Sequence, residues 1–80
     1  MSNTYRIEWQ VPDDYDPWEV LSRLPSPISS SMTEIYNYSV EDFGFYLIDN
    51  LVDDRVAGHA MKMFVDEALS YTSEVVVRRI

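Results

Sequence analysis

The longest periodic segment of the chain runs from Asp53 to Tyr71 and has the 3.6-residue repeat of an amphipathic helix. Its apolar stripe comprises Val56, Ala57, Ala60, Met61, Phe64 and Ala68. Asp53 and Asp54 suit the positive N-terminal end of such a helix. Gly58 weakens the helix and predicts a close approach to the neighbouring layer. A helix with one apolar face must bury that face, so the rest of the chain has to supply a covering layer.

Four segments outside this helix have the composition of β-strands. They are Tyr5 to Val11, Met32 to Ser39, Phe43 to Ile48 and Glu74 to Ile80. The first alternates apolar with polar residues, which is typical of a half-buried strand. The third is apolar on both faces and therefore favours a central position. The short polar connection Val40-Glu41-Asp42 predicts that the second and third strands form an antiparallel hairpin.

A short helix is predicted after Asp16, between the first two strands. The Asp16 carboxylate can accept from a backbone N–H two or three residues on, and Pro17 fits the first helical position. Glu19 completes a pair like that of a capping box. Trp18 and Leu21 fall at helical spacing on an apolar stripe, and Pro25 ends the helix after about two turns.

These elements give the order βαββαβ along a chain of 80 residues, which has room for one domain, residues 1–80. Right-handed crossovers place both helices on one face of a four-stranded antiparallel sheet with strand order 4-1-3-2. This is the architecture of the ferredoxin-like plait, an α+β fold built from two split βαβ halves.

The charge balance excludes several classes of function. There are 14 acidic and 6 basic side chains, which gives a net charge of −8 and argues against nucleic acid as a ligand. The chain has no cysteine and one histidine, so thiolate and histidine-rich metal sites are excluded. His59 has no nucleophile that the sequence pairs with it, and the carboxylates lack the spacing of a calcium loop.

We therefore expect a protein that is not an enzyme and that holds no metal or cofactor. No signal peptide or membrane-spanning segment is evident, so no membrane association is expected and the expected location is the cytoplasm.

Function is expected on the sheet face that the helices leave open. Residues of the first, third and fourth strands supply the candidate interaction surface. It comprises Arg6, Glu8, Phe43, Phe45, Tyr46 and Arg78. The sequence leaves open which side of the third strand faces outward, since either Phe43, Phe45 and Leu47 or Gly44, Tyr46 and Ile48 would give a mixed polar and aromatic surface.

The segment 42–48, Asp-Phe-Gly-Phe-Tyr-Leu-Ile, is similar to the third strand of RNA-recognition motifs over about eight residues. The resemblance implies that Phe43 and Phe45 stack on bases. It departs from that family at Glu41, where the motif has a basic residue, and at Asp42, where it has glycine. Both departures place negative charge where a polyanion would approach.

The leading hypothesis is a small acidic protein-interaction or regulatory module that docks or self-associates, as a homodimer, through its open sheet face. The two edge strands offer a second contact, by strand pairing between subunits. One alternative is an acidic inhibitor or nucleic-acid mimic that covers a basic protein partner. The other is a single-stranded nucleic-acid binder like an RNA-recognition motif.

Overall fold

The computed structural model describes residues 1–80, which form four strands and two helices. In chain order these are β1 (Asn3–Glu8), α1 (Trp18–Arg23), β2 (Tyr36–Glu41), β3 (Gly44–Asp49), α2 (Asp54–Tyr71) and β4 (Val76–Arg79). The strands form a single sheet in the order β2-β3-β1-β4, and every neighbouring pair is antiparallel. The predicted α+β class, the four-stranded antiparallel sheet and its strand order are confirmed.

The core lies between the sheet and the two helices. Ile7 of β1 and Phe45 of β3 are directly opposed in the sheet, and neither is exposed to solvent. Phe64 of α2 packs its ring 4.5 Å from that of Phe45, and Val20 of α1 belongs to the same cluster. Both helices therefore cover the same face of the sheet, which leaves the opposite face without a helix.

The long helix follows its sequence closely. Asp53 caps α2 by accepting from the backbone N–H groups of Arg55 and Val56, at 3.0 and 3.3 Å. The buried residues of α2 belong to the predicted stripe, and they are Ala57, Ala60, Phe64 and Ala68. The interpretation of Gly58 is wrong, because a Cβ built there would meet no atom within 4 Å. Gly58 is an exposed helix residue and not a packing contact.

The short helix is confirmed with corrections. Asp16 accepts a hydrogen bond from the Trp18 amide at 3.0 Å, as expected. Helix α1 begins one residue later than predicted, at Trp18. Glu19 does not cap the helix, and its Oε1 atom instead lies 3.7 Å from Nη2 of Arg23. The Trp18 side chain is 72% exposed, so its helical spacing did not indicate burial. Only Val20 of this helix is buried, because six residues offer one narrow contact face.

The loop between β1 and α1 is tied to the long helix. The Tyr15 hydroxyl donates to Glu67 Oε2 at 2.6 Å, and the Tyr15 ring meets that of Trp9 edge to face at 5.0 Å. Burial raises the pKa of Tyr15, and the hydrogen bond to the Glu67 carboxylate raises it further. The phenol consequently stays protonated and keeps the loop in place.

Strand β2 begins later than its sequence predicted, at Tyr36 instead of Met32. Met32 has a φ of 66°, in the left-handed region that a strand cannot contain. The preceding residues form a serine-rich turn in which the Met32 amide donates to the Ser29 carbonyl oxygen at 2.9 Å. The hairpin turn lies at Asp42 and Phe43, so Glu41 and Gly44 face each other across β2 and β3.

Gly44 opens β3 in a conformation that only glycine adopts readily, with a φ of 140°. A Cβ at this position would lie 2.0 Å from the carbonyl oxygen of Ile7 and 2.7 Å from Cδ1 of Trp9. The hairpin end can therefore pack this closely on β1 only because residue 44 has no side chain. This residue also determines where Phe43 lies, as described below.

Candidate functional site

The open sheet face carries a row of side chains that crosses all four strands. Residues directly opposite each other in an antiparallel sheet project on the same face. Arg6 of β1 lies opposite Tyr46 of β3 on one side and opposite Arg78 of β4 on the other. Tyr46 in turn lies opposite Ser39 of β2. The centre of this face therefore consists of one tyrosine flanked by two arginines and a serine.

Arg6 is held on this face by two aromatic rings. Its Cζ atom lies 3.7 Å from the centroid of the Phe43 ring and 5.9 Å from that of Tyr46. Its Nη1 atom donates to the Tyr46 hydroxyl at 3.3 Å. The two rings meet at nearly right angles, with centroids 5.1 Å apart. Cation–π attraction and edge-to-face packing thus fix three side chains in one arrangement.

Glu8 joins the two arginines. Its carboxylate lies 2.5 Å from Nε of Arg6 and accepts from Nε of Arg78 at 3.1 Å. The hydrogen bond from Arg78 lowers the pKa of Glu8, and Arg6 adds to this effect, while desolvation acts in the opposite direction. Glu8 therefore remains ionised well below neutral pH.

We call Arg6, Glu8, Phe43, Tyr46 and Arg78 the arginine–aromatic cluster. Two arginines and one glutamate give it a local charge of +1, in a chain whose net charge is −8. These five residues were all expected on the interaction surface from the sequence, and the structure brings them together.

Phe45, the sixth residue of that expected surface, is placed elsewhere. Its side chain is not exposed to solvent, and it packs against Phe64 on the helix-covered face. The prediction that Phe45 belongs to the interaction surface is wrong. Phe43 and Phe45 would share a face in a regular strand, but Phe43 lies in the turn and Gly44 interrupts the alternation between them. The two rings consequently lie on opposite sides of the sheet and cannot stack on neighbouring bases.

The open face extends beyond the residues that sequence reasoning selected. Ile48 lies opposite Asn37 and Thr4, on the same side as Tyr46. Both Ile48 and Tyr46 are half-buried although no helix covers them. Val76, which is 46% exposed, lies opposite Glu8 on this face. Side chains alternate between the two faces along β3. Because Phe45 faces the core, Tyr46 and Ile48 face outward.

The surface has two shallow depressions, with volumes of about 260 and 290 Å³. The first lies between α1 and α2 and is mostly polar. The second is lined by apolar and acidic residues, and these are Val11, Pro12, Asp13, Tyr15, Val40, Glu41 and Asp42. Its three carboxylates favour cationic groups and disfavour phosphate.

Groups that could perform chemistry are dispersed. No set of three or more histidine, cysteine, aspartate or glutamate side chains is close enough to hold a metal ion. His59 lies on the exposed side of α2, and the ion pair nearest to it along the helix joins Lys62 to Asp66 at 2.6 Å. The arginine–aromatic cluster instead contains the largest connected set of polar side-chain contacts on the molecule, which links Arg6, Glu8, Tyr46 and Arg78.

Comparison with protein-family models, with curated proteins and with solved structures finds no match to this chain. Neither helix combines the length and the hydropathy that crossing a lipid bilayer requires.

Proposed function

We propose that this chain is a small, non-enzymatic protein-interaction or regulatory module that docks a protein partner through its open sheet face. The arginine–aromatic cluster at the centre of that face carries the proposal. We further propose that the fold is the ferredoxin-like plait and that the protein works in the cytoplasm. The element order, the antiparallel strand order and the single helix-covered face support the plait.

The residue types in the cluster are those that contribute most to protein interfaces. Tyrosine, phenylalanine and arginine are enriched at interface centres, where they combine large contact area with hydrogen-bonding groups. Arg6, Phe43 and Tyr46 already hold one another in place. Docking onto them would freeze few additional rotamers, which lowers the entropic cost of association.

The charge of the cluster indicates the chemistry of the partner surface. Glu8 forms ion pairs with both arginines, and the guanidinium N–H groups that it does not engage can donate to carboxylates or backbone carbonyl groups of a partner. A partner patch that combines an acidic side chain with apolar residues for Tyr46 and Ile48 fits this face best.

Substitution of Tyr46 by alanine tests the proposal without removing a core residue. We expect partners recovered by affinity purification and quantified by mass spectrometry to be lost at least tenfold with Tyr46→Ala. Lys62→Ala is the matched control, because Lys62 lies on exposed helix surface and contacts only Asp66. Equal recovery with both variants, each folded by circular dichroism, would show that the open face is not the docking surface.

The acidic depression favours a second candidate, an inhibitor or nucleic-acid mimic for a basic partner. Asp13, Glu41 and Asp42 line it beside apolar residues and would receive arginine or lysine side chains of a partner. Glu41→Gln with Asp42→Asn would then weaken binding and remove its salt dependence, while Tyr46→Ala would leave both unchanged. A single-stranded nucleic-acid ligand is disfavoured, since Phe45 is buried and Arg6 covers the ring of Phe43.

A further inference from the structure

Strand β4 is an edge strand with backbone groups that have no partner. It pairs only with β1, and all four of its residues are exposed. The amide of Ile80 donates to the carbonyl oxygen of Thr4 at 2.9 Å. In an antiparallel pair every second residue directs its backbone groups toward the neighbouring strand, so this bond shows which residues of β4 face β1. Val76 and Arg78 therefore direct their backbone groups toward β1. Val77 and Arg79 direct theirs away from the sheet, toward solvent.

The opposite edge is protected. In β2, the Tyr38 amide donates to the side-chain oxygen of Asn37 at 2.8 Å, so this strand supplies its own acceptor. Strand β4 has no such bond in its outward direction, and its Val77 side chain is 45% exposed. The free edge of this sheet is β4.

The sequence at this edge is complementary to itself. Residues 74–78 read Glu-Val-Val-Val-Arg. When two copies run antiparallel about Val76, the Glu74 side chain of each copy faces the partner's Arg78, and each Val75 faces the partner's Val77. Opposite charges and β-branched residues are the cross-strand pairs that stabilise antiparallel sheets.

The alternation of inward- and outward-directed backbone groups along β4 permits this register. Val77 directs its backbone groups outward, and extending β4 by two residues at its start would give Val75 the same direction. Each pair of Val75 with the partner's Val77 could then form two hydrogen bonds. Glu74 and the partner's Arg78 then form a non-hydrogen-bonded pair, in which side chains approach most closely. Arg78 has five N–H donors and can keep Glu8 while it contacts a second carboxylate.

The neighbouring registers lack this complementarity. A shift that centres the pairing on Val77 places Arg78 opposite the partner's Val76 and Glu74 opposite the partner's Ile80. A shift that centres it on Arg78 places the two Arg78 side chains against each other, which is repulsive. Among the registers that the backbone allows, the one about Val76 is the one that pairs Glu74 with Arg78.

We propose that two copies of this chain associate through antiparallel pairing of their β4 strands about Val76, which extends β4 by two residues at its start and forms a continuous eight-stranded sheet. The open faces of the two copies remain uncovered side by side. This inference does not rest on the proposed docking function: the two contacts share Arg78, but Tyr46 and Ile48 take no part in the pairing of β4.

A mixing experiment tests the register. Glu74→Arg places like positive charges opposite each other in a homodimer, and Arg78→Glu places like negative charges there. By sedimentation velocity at matched concentrations, we expect each variant alone to dimerise at least tenfold more weakly than the unaltered chain. Mixing the two variants pairs opposite charges at both ends and should restore a dimer. Monomeric unaltered protein at millimolar concentration, or a mixture no tighter than its components, would overturn the proposal.

Hydrogen exchange provides a readout within the unaltered protein. The Arg78 amide faces β1 and is protected in monomer and dimer alike, whereas the Val77 amide gains a partner only in the dimer. We expect protection of Val77 to rise with protein concentration while that of Arg78 stays constant. Val77→Pro removes the outward N–H and no bond to β1, so it should abolish dimerisation while Tyr46→Ala preserves it. A Val77 amide that exchanges equally fast at all concentrations would contradict β4 pairing.

Discussion

Replacement of Gly44 by alanine is the substitution that the structure penalises most clearly. The backbone at this position has a φ of 140°, a region that is essentially reserved for glycine and costs other residues about 1–3 kcal/mol. The added Cβ would also lie 2.0 Å from the Ile7 carbonyl oxygen, closer than any real contact. Relief requires the β3 end to move away from β1, at a cost typical of overpacking, about 1–3 kcal/mol.

The two effects together predict a loss of about 2–6 kcal/mol in the free energy of unfolding of Gly44→Ala. A domain of this size has a total of roughly 4–12 kcal/mol, so the variant would lose a large share of its stability. Urea titration followed by tryptophan fluorescence measures the change, since Trp9 is buried beside Gly44. Each kcal/mol lost lowers Tm by about 4–8 °C in a domain of this size.

Gly58→Ala is the matched control, because the same methyl group there meets no atom within 4 Å. Gly58 lies inside α2, where alanine is favoured over glycine by about 0.5–1 kcal/mol. We expect this control to be slightly more stable than the unaltered chain. A Gly44→Ala variant within 0.5 kcal/mol of the unaltered chain would refute the close approach of the hairpin end to β1.

Three further expectations follow from single contacts. Phe45→Ala should lower the free energy of unfolding by about 3–5 kcal/mol in urea titration, because the Phe45 side chain is fully buried. Phe43→Ala should lower it far less, because Phe43 lies in the turn. Equal losses would contradict the placement of the two rings on opposite faces of the sheet. Asp53→Ala should cost about 1 kcal/mol through loss of the α2 cap, with Asp54→Ala as a control that keeps the cap. The pKa of Glu8 is lower in the folded protein than in the unfolded chain, where it is about 4.3. Its ion pairs therefore stabilise the fold fully above that unfolded-state value. This stabilisation is lost as pH falls through the lower folded-state pKa. Stability measured between pH 5 and pH 2 should therefore depend less on pH in Arg78→Ala, and an unchanged profile would count against the Glu8–Arg78 pair.

The fold could be predicted largely from the periodicity of the sequence, and the errors of that prediction have local causes. The stripe of α2 identified its buried alanines, since an 18-residue helix repeats the pattern enough times to be unambiguous. Helix α1 spans fewer than two turns, so the spacing of Trp18 could not distinguish a buried position from an exposed one. Strand β2 was predicted to start too early because the turn at Met32 depends on a left-handed backbone conformation that methionine does not signal.

The candidate site was predictable except where one glycine changed the geometry. Alternation along β1 correctly placed Arg6 and Glu8 outward, and the strand order brought Arg78 beside them. Alternation from Phe43 to Phe45 failed, because the conformation of Gly44 lets the preceding ring lie on the open face. The contacts of Arg6 with Phe43 and Tyr46 depend on this break in the pattern. They could not be deduced from spacing alone.

The glycine and the cluster are therefore parts of one arrangement. Without a side chain at residue 44, the hairpin end approaches β1 closely enough for Phe43 to meet Arg6 across the open face. Packing on the helix-covered side depends on the same approach, since the ring centroids of Trp9 and Phe45 lie 5.7 Å apart there. A substitution that pushed the hairpin away would disturb the core and the open face together. Stability and the proposed docking surface should for this reason change in parallel at Gly44, but separately at Phe45 and Tyr46.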